Sequence, residues 1–283
     1  MVVKKQHYYP RALLKHFAND DDKFYVYMRL AKDNPIKYMN YEKVCSANYT
    51  YEGRSKDNKL EIDNILEKKL SSLESKLDTI IEKIIETIKI PWRGRPTVDI
   101  NKEDIEFLFT YMYIQFIRTN RGRINFVQSL ENMNYTPRKY PIELEEIKNS
   151  KNEITKFNNF FRQAGNFEKL LKVLKKPKNM NFHIAIGDFI TSDNPVVATD
   201  NWRQIYMPIS NNLCLEFQDD SCNCSDKIIV YMAIRKQKYI NEAQIETANY
   251  CVISKKKFNI CTRRYIRRRF TDPNWSKKSR HFK

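Results

Sequence analysis

The sequence predicts an α+β fold: an antiparallel sheet built from N-terminal and late strands, with a central block of long helices. Residues 23–30 (KFYVYMRL) are dense in β-forming side chains. Between Glu61 and Ile90 apolar residues recur at steps of three and four, the period of a helix with one buried face. From residue 182 to 234 short apolar runs alternate with turn residues. Strands on both sides of a helical block imply that the first strand joins the late sheet.

Taken in order, residues 32–58 are polar and rich in turn formers. In the long helix, Ile62, Leu66, Leu70, Leu73, Leu77, Ile80, Ile81, Ile84, Ile85 and Ile88 form the stripe, and Pro91 ends it. A second helix starts after Asn101, with Glu103 and Asp104 where acids complement the dipole, and runs through Phe107, Tyr111 and Phe116 to Arg118. Helical segments continue across 120–132 and 153–175, separated by Pro137 and Pro141. The late strands are expected at 182–186, 189–192, 205–209, 212–217 and 228–234. Gly187-Asp188 reads as the two-residue turn of a hairpin joining the first two. Residues 240–250 read as a helix. This gives one domain over 1–254, with its helical block at about 61–176 and its sheet from 23–30 and 182–234, followed by a basic tail, 255–283. The elements end before the tail, so the fold is expected to survive its removal.

Composition narrows the function classes. Five glycines in 283 residues, and no GxGxxG, Walker A or HExxH pattern, argue against a nucleotide cofactor and a zincin site. No apolar run is long enough to span a bilayer, and residues 1–5 lack a signal-peptide core, so a cytoplasmic location is expected. Of six cysteines only Cys222 and Cys224 lie close together, and one intervening residue is a poor zinc spacing. The formal charge is +17. Residues 255–283 carry twelve of the Lys/Arg against Asp272 alone, a net of +11. Lys255, Lys256, Lys257, Arg263, Arg264, Arg267, Arg268 and Arg269 are interleaved with aromatics, which suits phosphate contacts and base stacking by RNA or DNA. An acidic protein or an anionic membrane is the other reading of such a segment.

Two polar clusters carry the candidate chemistry: residues 6–11 (QHYYPR) and 192–195 (SDNP). Each sets charged or titratable groups beside a proline that stiffens the backbone. His7 titrates near neutrality and is the candidate proton carrier. Arg11 and Arg118 are cations for phosphate or carboxylate, and Arg121 and Arg123 extend Arg118 into a possible phosphate channel around Gly122. Asp193 offers a carboxylate, and Asn194 a group to orient it. Glu67 and Glu74 share one helix face roughly 10 Å apart at 1.5 Å rise per residue. Either acid pairs with an arginine or lends one metal ligand. The bland readings are a knitted N-terminal strand, a buried ion pair for Arg11, and a turn capped by Ser192 or Asp193.

These motifs also resemble an uncharacterised bacterial family, domain of unknown function forty-two thirty-eight. Its members open on Gln-His-Tyr-x-Pro-Arg, carry Arg-Thr in mid-chain, here Arg118-Thr119, and later have Ser-Asp-Asn-Pro. The resemblance runs from about residue 4 to about 253. It implies one domain in which the two motifs converge, and it carries no activity.

The functional expectation is a nuclease or related phosphodiester hydrolase, in phage defence or as a toxin. Asp193 with Glu74 or Glu67 would hold magnesium or manganese, His7 would move the proton, and Arg11 with Arg118 would neutralise phosphate; Asn194 would orient the substrate. The alternative is a nucleic-acid-binding or adaptor module whose polar motifs are scaffolding. If the motifs line an open cleft, the enzyme reading gains; if they are buried in internal bonds, the scaffold reading gains.

Overall fold

A computed structural model describes residues 3–31, 33–132, 143–199, 202–220, 227–272 and 274–275. Cys222, Cys224, Pro137 and Pro141 lie outside them.

The chain opens with strand β1 (Lys5–His7) and a single helical turn, α1 (Arg11–Leu14), started by Pro10. Strands β2 (Lys23–Met28), β3 (Ile36–Asn40), β4 (Ser46–Asn48), β5 (Gly53–Arg54) and β6 (Leu60–Glu61) follow. Residues 60–61 thus belong to a small ribbon, and the long helix α2 (Ile65–Thr87) starts only after Asn64, whose left-handed backbone turns the chain. Helix α3 (Lys102–Ile117) starts on a reciprocal box between Asn101 and Asp104. Thr119 caps α4 (Asn120–Glu131). Helix α5 (Leu144–Asn149) precedes the segment read as helical from 153 to 175, which holds α6 (Lys151–Arg162) and α7 (Asn166–Val173), parted by Gly165 at φ +83°.

Strands β7 (Met180–Ile186), β8 (Thr191–Ser192), β9 (Val197–Thr199), β10 (Gln204–Pro208), β11 (Leu213–Asp219) and β12 (Ile229–Tyr231) lead into helix α8 (Ile234–Thr247), strand β13 (Cys251–Ser254) and helix α9 (Ile260–Thr271). One sheet has the order β12-β7-β11-β10-β9, the other β3-β2-β13-β8; β1-β4 and β5-β6 form two-stranded ribbons. Pairing is antiparallel throughout, save β12 on β7. The class is therefore α+β. The N-terminal strand β2 does join a late strand, with Val26 opposite Ile253.

The Gly187-Asp188 hairpin does not form. Both edges of β7 are taken, by β11 and β12, and β8 crosses to the other sheet to pair with β13. The central core packs Leu77, Ile80, Ile81 and Ile84 of α2, with Leu108 and Met112 of α3, against Ile184, Leu215 and Phe217 of the larger sheet. Each such side chain contributes about 1.5–3 kcal/mol on burial.

The basic segment packs onto the fold through its described residues. Phe258 and Ile266 join Tyr27, Ile245 and Val252 in a second core on the β3-β2-β13-β8 sheet, and Trp275 is also buried. Removing residues 255–283 would strip that core, so the expectation that the fold survives without them is reversed. No helix among the described residues is long and apolar enough to cross a membrane.

Candidate functional site

The N-terminal motif is a knot. Gln6 is fully buried; its amide donates to Glu52 Oε1 at 2.6 Å and accepts from the Tyr51 N–H at 2.8 Å. Glu52 is buried too, and also receives the N–H groups of Asp63 and Asn64 and the Asn64 amide. His7, half-buried, sits 3.1 Å from the Glu42 carbonyl. Burial lowers its pKa against that hydrogen bond, and the nearby Arg11, Lys5 and Arg118 lower it further. Arg11 lies at the surface, 3.3 Å from Glu42, rather than on Glu67, Glu74 or Asp193.

The buried arginine is Arg118, only 1% exposed. Its guanidinium donates to Tyr51 Oη at 2.8 Å, Glu74 Oε1 at 2.6 Å and the His7 carbonyl at 2.5 Å. Each of its three nitrogens is engaged inside the protein and the residue is buried, so Arg118 does not face a phosphate. Arg123, also buried, spans the Thr50 carbonyl at 2.7 Å and Asn120 Oδ1 at 2.7 Å. Gly122 lies between them because α3 passes so close: a Cβ there would stand 2.0 Å from the Phe116 carbonyl oxygen. The channel expected from Arg118, Arg121 and Arg123 is thus a helix–helix crossing, with Arg121 half-buried beside it.

Asp193 faces inward as well. Its Oδ1 accepts the N–H groups of Asn249, Tyr250 and Cys251, each at 3.1 Å. Burial pushes the carboxyl up to about 6, even though those backbone donors favour the anion. Asn194 donates to the Thr247 carbonyl at 2.6 Å, and Ser192 Oγ donates to Gln244 Oε1 at 3.1 Å. The motif therefore fastens the entry to β13 onto the end of α8. The two motifs do meet: Tyr9 Oη lies 3.1 Å from Thr191 Oγ1, and the Cys45 and Cys251 sulfurs are 3.7 Å apart. They meet back to back, each with its polar groups turned into its own network.

A divalent ion does not fit the expected ligands. Asp193 is turned toward backbone N–H groups and Glu74 receives Arg118, whereas magnesium takes open carboxylate and water oxygens. Among the described residues the one group of three candidate ligands is His16, Asp78 and Glu82, within 4.8 Å of one another. Lys15 already pairs with both of its acids. Glu67 is different. Burial raises its pKa to about 7 against the attraction of Arg118, with Glu74 and Glu52 adding repulsion, and its Oε2 has no hydrogen-bond partner.

The remaining cations divide sharply. Arg269 is fully buried, donating to the Glu246 and Ala248 carbonyls and to Glu143, which also holds Arg29. It is therefore removed from the expected nucleic-acid set, as is Arg123. Lys256 pairs with Asp188 at the surface, and Arg268 lies over Trp275. Lys255 is half-buried and Lys257 exposed. Arg263, Arg264 and Arg267 have no ion-pair partner among the described residues. They line an open groove of about 660 Å³ between α9 and the β2–β3 connection, with Arg29, Tyr27 and Phe270; Asp33 is its one acid. Sequence reasoning missed Tyr51 and Glu52, which stand in the polar 32–58 segment with no motif of their own, and it gave Gln6 no role although that residue opens the first motif.

The family described as "Protein of unknown function (DUF4238)" matches residues 5–258. Neither the curated proteins nor the solved structures contain a match to the chain.

Proposed function

The chain belongs to the DUF4238 family, whose function is unknown, and we propose that it binds nucleic acid through the arginine face of α9. The observation that carries this is the groove lined by Arg263, Arg264 and Arg267. Like charges at i,i+4, here Arg263 with Arg267 and Arg264 with Arg268, each cost a helix about 0.2–0.5 kcal/mol. Among the described residues Arg263, Arg264 and Arg267 have no acidic partner in return, which supports an external polyanion as what they are for. The grounds for scaffolding are equally direct, since Arg118, Asp193 and Asn194 spend their polar atoms on internal partners.

Replacing Arg263, Arg264 and Arg267 together by alanine is expected to weaken RNA and DNA binding at least tenfold at moderate salt. Three lost phosphate contacts would flatten the logarithmic salt slope by about 2–3, at roughly 0.7–0.9 per contact. Binding isotherms across a salt series read both, and an unchanged slope overturns the assignment. The unfolding midpoint should hold, because none of the three side chains belongs to a core.

A hydrolytic reading retains one support, the Glu67 carboxyl beside Arg118, whose Oε2 has no hydrogen-bond partner and which is poised to exchange a proton near neutral pH. The same group makes a separable stability prediction. Its folded pKa, about 7, exceeds the ordinary 4.5, so its contribution is complete below about pH 4.5 and is lost as pH rises to 7. Glu67→Gln should therefore gain roughly 1–2 kcal/mol over wild type at pH 8 and nothing at pH 4.5, after allowance for partial exposure. Denaturant titrations at both pH values test this. Cleavage of labelled RNA or DNA by wild type but not by Glu67→Gln would establish catalysis; no cleavage by wild type would end the hydrolytic reading.

A further inference from the structure

Between α2 and α3 the chain makes a narrow excursion, residues 90–96 (IPWRGRP), closed at its base by two backbone hydrogen bonds between Lys89 and Thr97, at 2.8 and 3.1 Å. Pro91 and Pro96 stiffen its two limbs, and Gly94 takes a backbone turn, φ +110°, that a side chain would resist. The base is braced further: Thr87 Oγ1 accepts the Asp99 N–H at 3.1 Å, and Lys83 bridges Asp99 and Asp104. At the tip stands Trp92, 97% exposed. Tryptophan is highly buried on average, and a rigid support that keeps one wholly in water forgoes the large stabilisation its burial would bring. Arg93 and Arg95 follow it in the loop, both exposed and without an ion-pair partner among the described residues.

We infer that the Trp92 loop is a stacking platform for an unpaired base of a single-stranded nucleic acid, with Arg93 and Arg95 of the same loop holding its phosphates. The inference rests on the nucleic-acid reading above and adds a preference that the α9 groove does not supply. Every base offers a π-face to a fixed aromatic ring, and adjacent guanidiniums neutralise the backbone that carries it. A duplex, whose bases are already stacked, has no face to offer Trp92. The loop's apolar area, one indole beside half-exposed Ile90, is small for a membrane anchor, whereas two unpaired cations complement a strand of phosphates.

The protein carries its own reporter. Trp202 is half-buried against Tyr113 and Phe116, and Trp275 is buried against Tyr265, so Trp92 is the tryptophan most open to a quencher. Titration of the full chain with an unstructured oligonucleotide of about twelve nucleotides should quench its emission, while a duplex of equal length should not. Trp92→Ala should lower single-strand affinity about tenfold and leave duplex affinity unchanged, with Trp92→Phe restoring part of the loss. Equal affinity of Trp92→Ala and wild type for the single strand overturns the platform while leaving the α9 reading intact. Equal loss on both strand forms also overturns it, as does quenching by phosphatidylserine vesicles without quenching by oligonucleotide. If wild type binds neither strand form, both readings fall.

Discussion

Asp193→Ala is expected to destabilise the fold by roughly 3–5 kcal/mol at pH 5, because it removes the common acceptor of three backbone N–H groups, two of them buried. A buried donor left without a partner costs about 1–3 kcal/mol. Relief of burying the carboxyl offsets part of that, and the offset depends on pH. The folded pKa, about 6, lies above the ordinary 3.8, so the group's contribution is complete below about pH 4 and falls as pH rises to 6. The gap between wild type and Asp193→Ala should therefore shrink by about 2–3 kcal/mol between pH 4 and pH 8. Chemical denaturation at the two pH values measures it. A variant with wild-type stability at both pH values but a lost activity would show that Asp193 serves chemistry, and the scaffold reading of this motif would fail.

Why the same residues read as catalytic in the sequence is a matter of what sequence leaves unspecified. An Asp before Asn-Pro can aim at a metal or at the next turn of its own chain, and both need a stiff backbone. Only the position of residues 249–251, more than fifty residues later, decides between them. The stripe of α2 was legible because a period of three and four has one interpretation. The Asn101–Asp104 start of α3 was legible because its hydrogen bonds are local. By contrast, the Gly187-Asp188 turn signal was sound locally but was overruled by two strands that already flank β7. Helix α9 was hidden by its charge. Phe258, Ile266 and Trp275 are spaced widely among arginines, and the arginine on its inner face, Arg269, satisfies itself on carbonyls at the end of α8. A basic run thus divides into a buried strut and a solvent face, a distinction that net charge cannot carry.

Arg118 gives the other large effect. Arg118→Met should cost about 3–5 kcal/mol, the usual penalty for breaking a buried ion pair from one side. It strands Glu74, the His7 carbonyl and the Tyr51 hydroxyl together, and these belong to three separate segments of the chain. Arg118→Lys keeps the charge but has no planar fork to reach all three at once, so most of the loss should remain. Glu74→Leu in the Arg118→Met background should recover part of it, since two apolar groups replace the pair and no charge is left alone. Urea titrations of the three variants give the comparison. The sharpest outcome concerns the N-terminal motif: without Arg118 it keeps the Gln115 bond to the Tyr8 carbonyl but loses the His7 carbonyl's partner, and amide exchange across residues 5–8 should quicken before the global transition. If exchange there stays slow while the protein is globally weakened, Arg118 braces α2 against α3 alone, and the His7 motif is held by Gln6 and Glu52 without it.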